Sequence, residues 1–213
     1  MRYIGDVHGK WARYKNILKT CEESIQIGDM GVGFINLRTE TKMSNPPFDA
    51  MSKGNHRFIR GNHDNPDVCA NHKYYIKDGH IENDTMFIGG ALSIDKQYRT
   101  ENIDWWAKEE LCTEKLYDSY DEYVKIKPKI MITHDCPDPI VNPLFGHFAK
   151  IGYPSRTRQA LGSMWEVHKP DLWIFGHWHY SIDTTILGTR FICLNELEYM
   201  DIDNNNNILK YKG

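Results

Sequence analysis

Cysteine is too sparse and scattered in this chain to build anything. Cys21, Cys69, Cys112, Cys136 and Cys193 are odd in number, and no two stand in a C-x-x-C spacing. That excludes a disulfide scaffold and a thiolate zinc site, and free thiols fit a reducing, cytoplasmic compartment. Long apolar runs are missing too, so no membrane span is expected. Met1 to Gly5 run straight into a strand pattern, with none of the layout of a signal peptide. There is no excess of positive charge: 26 Lys and Arg stand against 29 Asp and Glu, for a formal net charge of -3. Binding to duplex nucleic acid usually needs a basic face, so a duplex partner is not expected. Internal repeats are also absent.

What is present suits one domain over residues 1–213, with 40% of the residues hydrophobic. Short apolar runs at 2–5, 24–27, 57–60, 74–77, 85–88, 129–133, 172–175, 184–187 and 190–194 read as strands. Helical spacing appears at 10–20, 105–125 and 155–168, and Asn65-Pro66 reads as an N-cap with a first-turn proline. Residues 91–104 are polar and loop-like. Two long irregular segments stand out, from Met30 to about His56 and over 135–154; loops this long are usually functional. The asparagine run 204–207 reads as a hairpin turn. Helices alternate with strands early and strands dominate late, which points to an α/β sandwich with mixed sheets.

Five short motifs share one placement, each directly after an expected strand. They are Asp6-Val7-His8, Gly28-Asp29, Gly61-Asn62-His63-Asp64, His134-Asp135 and Gly176-His177-Trp178-His179. Ligands of open α/β sheets bind beyond the carboxyl ends of the strands, so five loops can converge on one site. Imidazole, carboxylate and amide oxygen are donors for zinc, iron and manganese. The two-residue spacing of Asp6 with His8, and of His177 with His179, lets both side chains of each pair face one way on extended chain. A carboxylate has two oxygens, so one aspartate can join two ions about 3.5–4 Å apart, the separation that clamps an in-line phosphoryl displacement. Alone, Gly28-Asp29 is only a turn signal. A given four-residue string such as Gly-Asn-His-Asp arises by chance in a chain of this length on the order of once in a thousand.

The set of motifs resembles the calcineurin-like metallophosphoesterases, from about residue 2 to residue 195. The resemblance implies a four-layer αββα sandwich with two mixed β-sheets and a two-metal site at one edge. It implies that Asp6, His8 and His179 hold one divalent ion (Mn, Fe or Zn, with manganese favoured) and that Asn62, His134 and His177 hold a second. Asp29 bridges them. A metal-activated water or hydroxide attacks phosphorus, and His63 stabilises the phosphate and protonates the leaving oxygen. Asp64 orients His63 through a hydrogen bond. Arg60, just before the third motif, matches the Ser/Thr protein phosphatase branch, where an arginine forks onto phosphate oxygens. After Asp29 the chain departs from that branch: it reads Met30-Gly31-Val32-Gly33 where the branch has x-Val-Asp-Arg-Gly, and Asp64 replaces a glutamate.

The expected activity is therefore phosphate-ester hydrolysis on a phosphoprotein or a small phosphorylated substrate. The alternatives are a phosphodiesterase or nuclease acting on nucleotides, cyclic nucleotides or single strands, and a binding scaffold, as in the retromer subunit that lacks the catalytic histidine. Arg156 and Arg158 read as helix-surface arginines. Trp105 and Trp106 read as core, and His56, His72, His80 and His168 as ordinary surface or core histidines. His147 and Tyr153 in the second long loop carry no assigned role. The oligomeric state is not readable from the sequence.

Overall fold

A computed structural model of the chain describes residues 1–36, 41–42, 46–146, 154–203 and 208–212. Its strands alternate strictly in where their side chains go. Phe87 of β7 (Thr85–Ile88), Ile132 of β8 (Ile130–Thr133), Ile174 of β9 (Leu172–Phe175) and Ile192 of β11 (Thr189–Cys193) share one cluster with Tyr3 of β1 (Arg2–Ile4), Ile25 of β2 (Glu23–Ile27) and Ile59 of β5 (Asn55–Ile59). Their sequence neighbours point the opposite way. Met86, Met131, Trp173 and Phe191 pack under α4 (Thr113–Ile126), α5 (Asp138–Phe145) and α6 (Arg156–Val167). Ile4 and Phe58 pack under α1 (Trp11–Leu18), α2 (Phe48–Met51) and α3 (Pro66–Ala70).

Three separate cores thus divide four layers, the expected αββα sandwich. Period-two strands buried on both faces, with one face of each sheet turned to the other sheet, give this arrangement. One sheet runs β13-β12-β1-β2-β5, with β12 (Tyr199–Ile202) antiparallel to β1 and β13 (Ile208–Lys212) at the edge. The other runs β10-β11-β9-β8-β7-β6, parallel at its centre, with antiparallel edges at β10 (Ile182–Ile186) and β6 (Ile81–Glu82). A two-strand ribbon, β3 (Ile35–Asn36) with β4 (Thr41–Lys42), stands apart.

Some local chemistry is as read. Asn65 caps α3 by accepting from the Asp67 and Val68 amides, and Ser155 caps α6 by accepting from the Arg158 amide. Other expectations are corrected. Helix α4 begins at Thr113 and not at 105, so Trp105 and Trp106 precede it, Trp105 in a single bridge to Glu101. Residues 74–77 make one bridge, Tyr75 to Phe58, and no strand. The segment 135–154 is not all loop: α5 forms there with Pro139 in its first turn, where a missing N–H costs nothing, and it tolerates Pro143 inside. Likewise 30–56 contains β3, β4 and α2. His147, Tyr153 and the turn expected at 204–207 lie outside the described residues. Among the described residues no helix is long and apolar enough to cross a membrane.

Candidate metal centre

The motifs leave the carboxyl ends of five parallel strands. β1, β2 and β5 are neighbours in one sheet, and β8 and β9 are neighbours in the other. Their loops therefore meet where the two sheets share an edge. The backbone turns sharply there. His8, Asp29, His177 and His179 all take positive φ, between 46° and 66°, a region non-glycine residues visit at a cost and mostly at functional sites. Asp29 ties the turns together: its carbonyl accepts from the Val7 and His8 amides, and its carboxylate Oδ1 accepts from the His63 amide at 2.7 Å.

Among the described residues three groups of ligand atoms result: Asp6–His8–His179, His8–Asp29–His63 and Asp29–His134–His177, each within 4.8 Å. His8 Nε2 lies 3.0 Å from His179 Nε2, and Asp6 Oδ2 lies 2.9 Å from the same His179 nitrogen. Asp29 Oδ1 stands 3.2 Å from His134 Nε2, while its Oδ2 stands 3.9 Å from the Nε2 atoms of both His8 and His63. Asn62 Oδ1 is 3.2 Å from His134 Nε2. The carboxylates Asp6 and Asp29 are buried, and His8, His63 and His177 sit at a half-buried rim with His179 outermost.

This donor set fits divalent cations. Asp6 Oδ2 is buried without a well-directed hydrogen bond. His134 Nδ1 contacts the Ile27 carbonyl at 2.9 Å and must donate to it, which aims the Nε2 lone pair of a neutral ring at two oxygens, those of Asp29 and Asn62. Lone pairs converge here from every side, and only a proton or a cation relieves them. Protons do so without metal. Burial alone would push His134 down, but the charge and hydrogen bond of Asp29 outweigh it and raise it to about 10. Burial would push Asp29 up, yet the facing His134 and His63 hold it well below the usual range. For Asp6, contacts from His179 and His8 overcome the same burial effect. Burial lowers His177 and His63, which favours neutral imidazoles.

Close approach explains two of the glycines. A Cβ on Gly61 would stand 2.1 Å from Asp29 Oδ1, and one on Gly28 would stand 2.3 Å from His134 Nδ1.

Two of the ten expected site residues do other work. Asp64 makes no hydrogen bond to the His63 ring. Its buried carboxylate accepts backbone N–H groups from Met30, Gly31, Val32 and Gly61 at 2.7–3.2 Å. It staples the loop after Asp29 to the third motif. Arg60 does not present a fork to the site. Its Nε donates to Asp78 at 2.9 Å, its Nη1 donates to the carbonyls of Lys108 and Glu109, and it is 4% exposed. Burial and prior engagement remove it as a phosphate ligand.

Other residues emerge only from the structure. Asn62 Nδ2 donates to Ser93 Oγ at 3.0 Å, and Glu109 accepts from both the hydroxyl and the amide of Ser93, a relay that turns Asn62 Oδ1 inward. Trp178, between the two histidines of the last motif, donates to Asp135 and stacks on Phe145. Arg99 brings Nη2 to 3.5 Å from His63 Nε2. The signal for Ser93 and Arg99 was the loop-like stretch 91–104. It follows strand β7, whose carboxyl end shares the edge with β8, yet it has no motif of its own. Arg156 is exposed as read, and Arg158 is half-buried beside Asp138. Trp106 is core and packs edge-on to Phe34, which in turn faces the His63 ring at 5.6 Å.

The geometry has counterparts among known proteins. The family model for calcineurin-like phosphoesterases matches residues 3–181. Among solved structures the chain is similar to phosphopantetheinyl hydrolase from Mycobacterium tuberculosis, at 11% identity and a TM-score of 0.52, over 92% of this chain and 89% of that one. It is also similar to a sulfate thiohydrolase from Thermus thermophilus, at 10% identity and a TM-score of 0.51, over 98% of this chain and 42% of that one. A putative 5'-nucleotidase from Staphylococcus aureus aligns at 13% identity and a TM-score of 0.48 over 100% of this chain and 52% of that one, so the chain spans about half its length. No match was found among curated proteins. Identities this low speak for the fold alone; the family match covers most of the chain. The chain belongs to the calcineurin-like phosphoesterases, metal-dependent hydrolases of ester bonds.

Proposed function

We propose that this chain hydrolyses small phosphate esters at a two-metal centre, with Asp6, His8 and His179 on one ion, Asn62, His134 and His177 on the other, and Asp29 between them. One observation carries the reading. The two oxygens of Asp29 face different groups, Oδ1 toward His134 and Oδ2 toward His8 and His63. A divalent pair held there would supply Lewis acidity to phosphoryl oxygens and ready activation of water.

The chain's own groups do the rest. The His63 backbone is fixed through its amide, and its ring stands at the rim with Nε2 facing the centre. The ring is neutral in the free site and placed to take up a proton when a phosphate dianion binds and pass it to the leaving oxygen. Phe34 and, behind it, Trp106 shield that ring from water on one side. The cavity lined by His8, Gly31, Phe34 and His63 is about 50 Å³. Only the phosphoryl end of a substrate enters it, and the rest of the ester extends toward solvent. With Arg60 buried elsewhere, no described residue of the site favours a phosphoprotein over a small ester.

The test is hydrolysis of para-nitrophenyl phosphate and its bis-ester with manganese, alongside metal content by mass spectrometry. Turnover of the monoester, abolished in Asp29→Asn, is expected. Loaded protein that cleaves neither compound overturns the proposal. Preference for the bis-ester, cyclic nucleotides or labelled single strands would move the assignment to a phosphodiesterase.

A further inference from the structure

We propose that Arg99 is the phosphate-binding cation of this site and that it selects dianionic monoesters over diesters. The inference rests on the reading above and adds a residue to it. Beyond the two ions, a phosphoryl group approaching Asp29 and His63 meets a side-chain cation only if one is aimed there, and Arg60 is not.

Arg99 is. Its Nη2 lies 3.5 Å from His63 Nε2. The guanidinium is held from behind by a two-point contact, Nε to Asp95 Oδ1 at 2.8 Å and Nη2 to Asp95 Oδ2 at 2.6 Å. Its Nη1 makes only a long contact, 3.4 Å, to the Asp104 carbonyl. The Asp104 side chain in turn accepts from the Thr100 amide at 2.6 Å, so the loop that carries Arg99 is braced on itself. A guanidinium has five N–H donors in a flat fork. Asp95 takes those along the Nε edge. The Nη1–Nη2 edge is left, and it borders His63.

The side chain is 18% exposed, partly desolvated but reachable, whereas that of Asp95 is 47% exposed on the solvent side. Asp95 therefore anchors the fork without covering its working edge. An anion oxygen placed beside the two nitrogens would bridge Arg99 and His63. A monoester dianion has three non-bridging oxygens and a diester anion has two. A cation beside His63 rewards the extra oxygen and the extra charge, which is where the selectivity arises.

The experiment compares wild type, Arg99→Ala and Arg99→Lys, each loaded with manganese and checked for metal content. Inorganic phosphate binding is titrated by calorimetry, and kcat/KM is measured for para-nitrophenyl phosphate and its bis-ester. A charge-assisted contact of this kind corresponds to about 10- to 100-fold. Arg99→Ala should weaken phosphate by that factor and lower monoester kcat/KM similarly, with metal content unchanged and the bis-ester much less affected. Arg99→Lys keeps charge but loses the fork, and should fall between. Unchanged phosphate affinity in both variants overturns the proposal, as does an equal loss on both esters. If Arg99→Ala does not fold, Arg99→Lys decides by the same criteria. A wild type inactive on both esters would instead sink the hydrolase reading, and the phosphate titration would still decide on Arg99.

Discussion

His134 contacts the carbonyl of Ile27 through Nδ1, 2.9 Å across the gap between the two sheets, and so turns Nε2 onto Asp29. In the absence of metal that nitrogen is protonated at neutral pH, because Asp29 raises the imidazole to about 10 against the effect of burial. His8 is raised as well, with contacts to Asp6 and Asp29 outweighing burial. A metal needs the same lone pair. Loading at neutral pH must therefore expel protons, and affinity must rise with pH up to the range where His134 loses its proton unaided. Calorimetric titration of manganese in buffers of different ionisation enthalpy should show proton release. A heat independent of the buffer would contradict this protonation state.

Arg60 predicts a split between stability and catalysis. Arg60→Lys keeps the charge but cannot serve Asp78 and two carbonyls at once, so unfolding stability should fall by about 1–3 kcal/mol. KM for a phosphate ester should stay at the wild-type value, because the guanidinium never reaches the substrate. Urea denaturation and steady-state kinetics on the same preparation check both halves. A raised KM with intact stability would restore the phosphate-fork role.

Ser93 predicts a selective metal defect. It stands between Asn62 and Glu109 in the relay, and its described hydrogen bonds go to those two residues. Removing such an outer partner typically costs about 10- to 100-fold in metal affinity. Ser93→Ala should weaken one of the two ions by that factor and leave the other in place. Metal titration read by stoichiometry at each step distinguishes this from a loss of both.

The strand-then-motif pattern made the sandwich and the convergence of Asp6, His8, Asp29, Asn62, His63, His134, His177 and His179 legible, because strand period and tight turns are local signals. Arg60 precedes the third motif and Asp64 ends it, but both point away from its chemistry. Adjacency in sequence does not say which way a side chain leaves a turn. Both were captured by partners 18 to 49 residues distant, such as Met30, Asp78 and Glu109. Ser93 and Arg99 were hidden for a related reason: their value comes from facing Asn62 and His63 across space, and nothing beside them in the chain marks it. Helix α5 was hidden by its prolines, which read as loop residues until Pro139 is seen in the first turn.

The positive φ angles at His8, Asp29, His177 and His179 come from loops separated by up to 171 residues and attached to two different sheets. With the ligands assigned as proposed, no fragment of the nascent chain can hold the ion pair until His177 and His179 have left the ribosome and β9 has docked. Metal acquisition then waits on synthesis through the last of the five motifs. A product cut before His177 keeps five of the seven proposed ligands and lacks the two that complete the pair of ion sites.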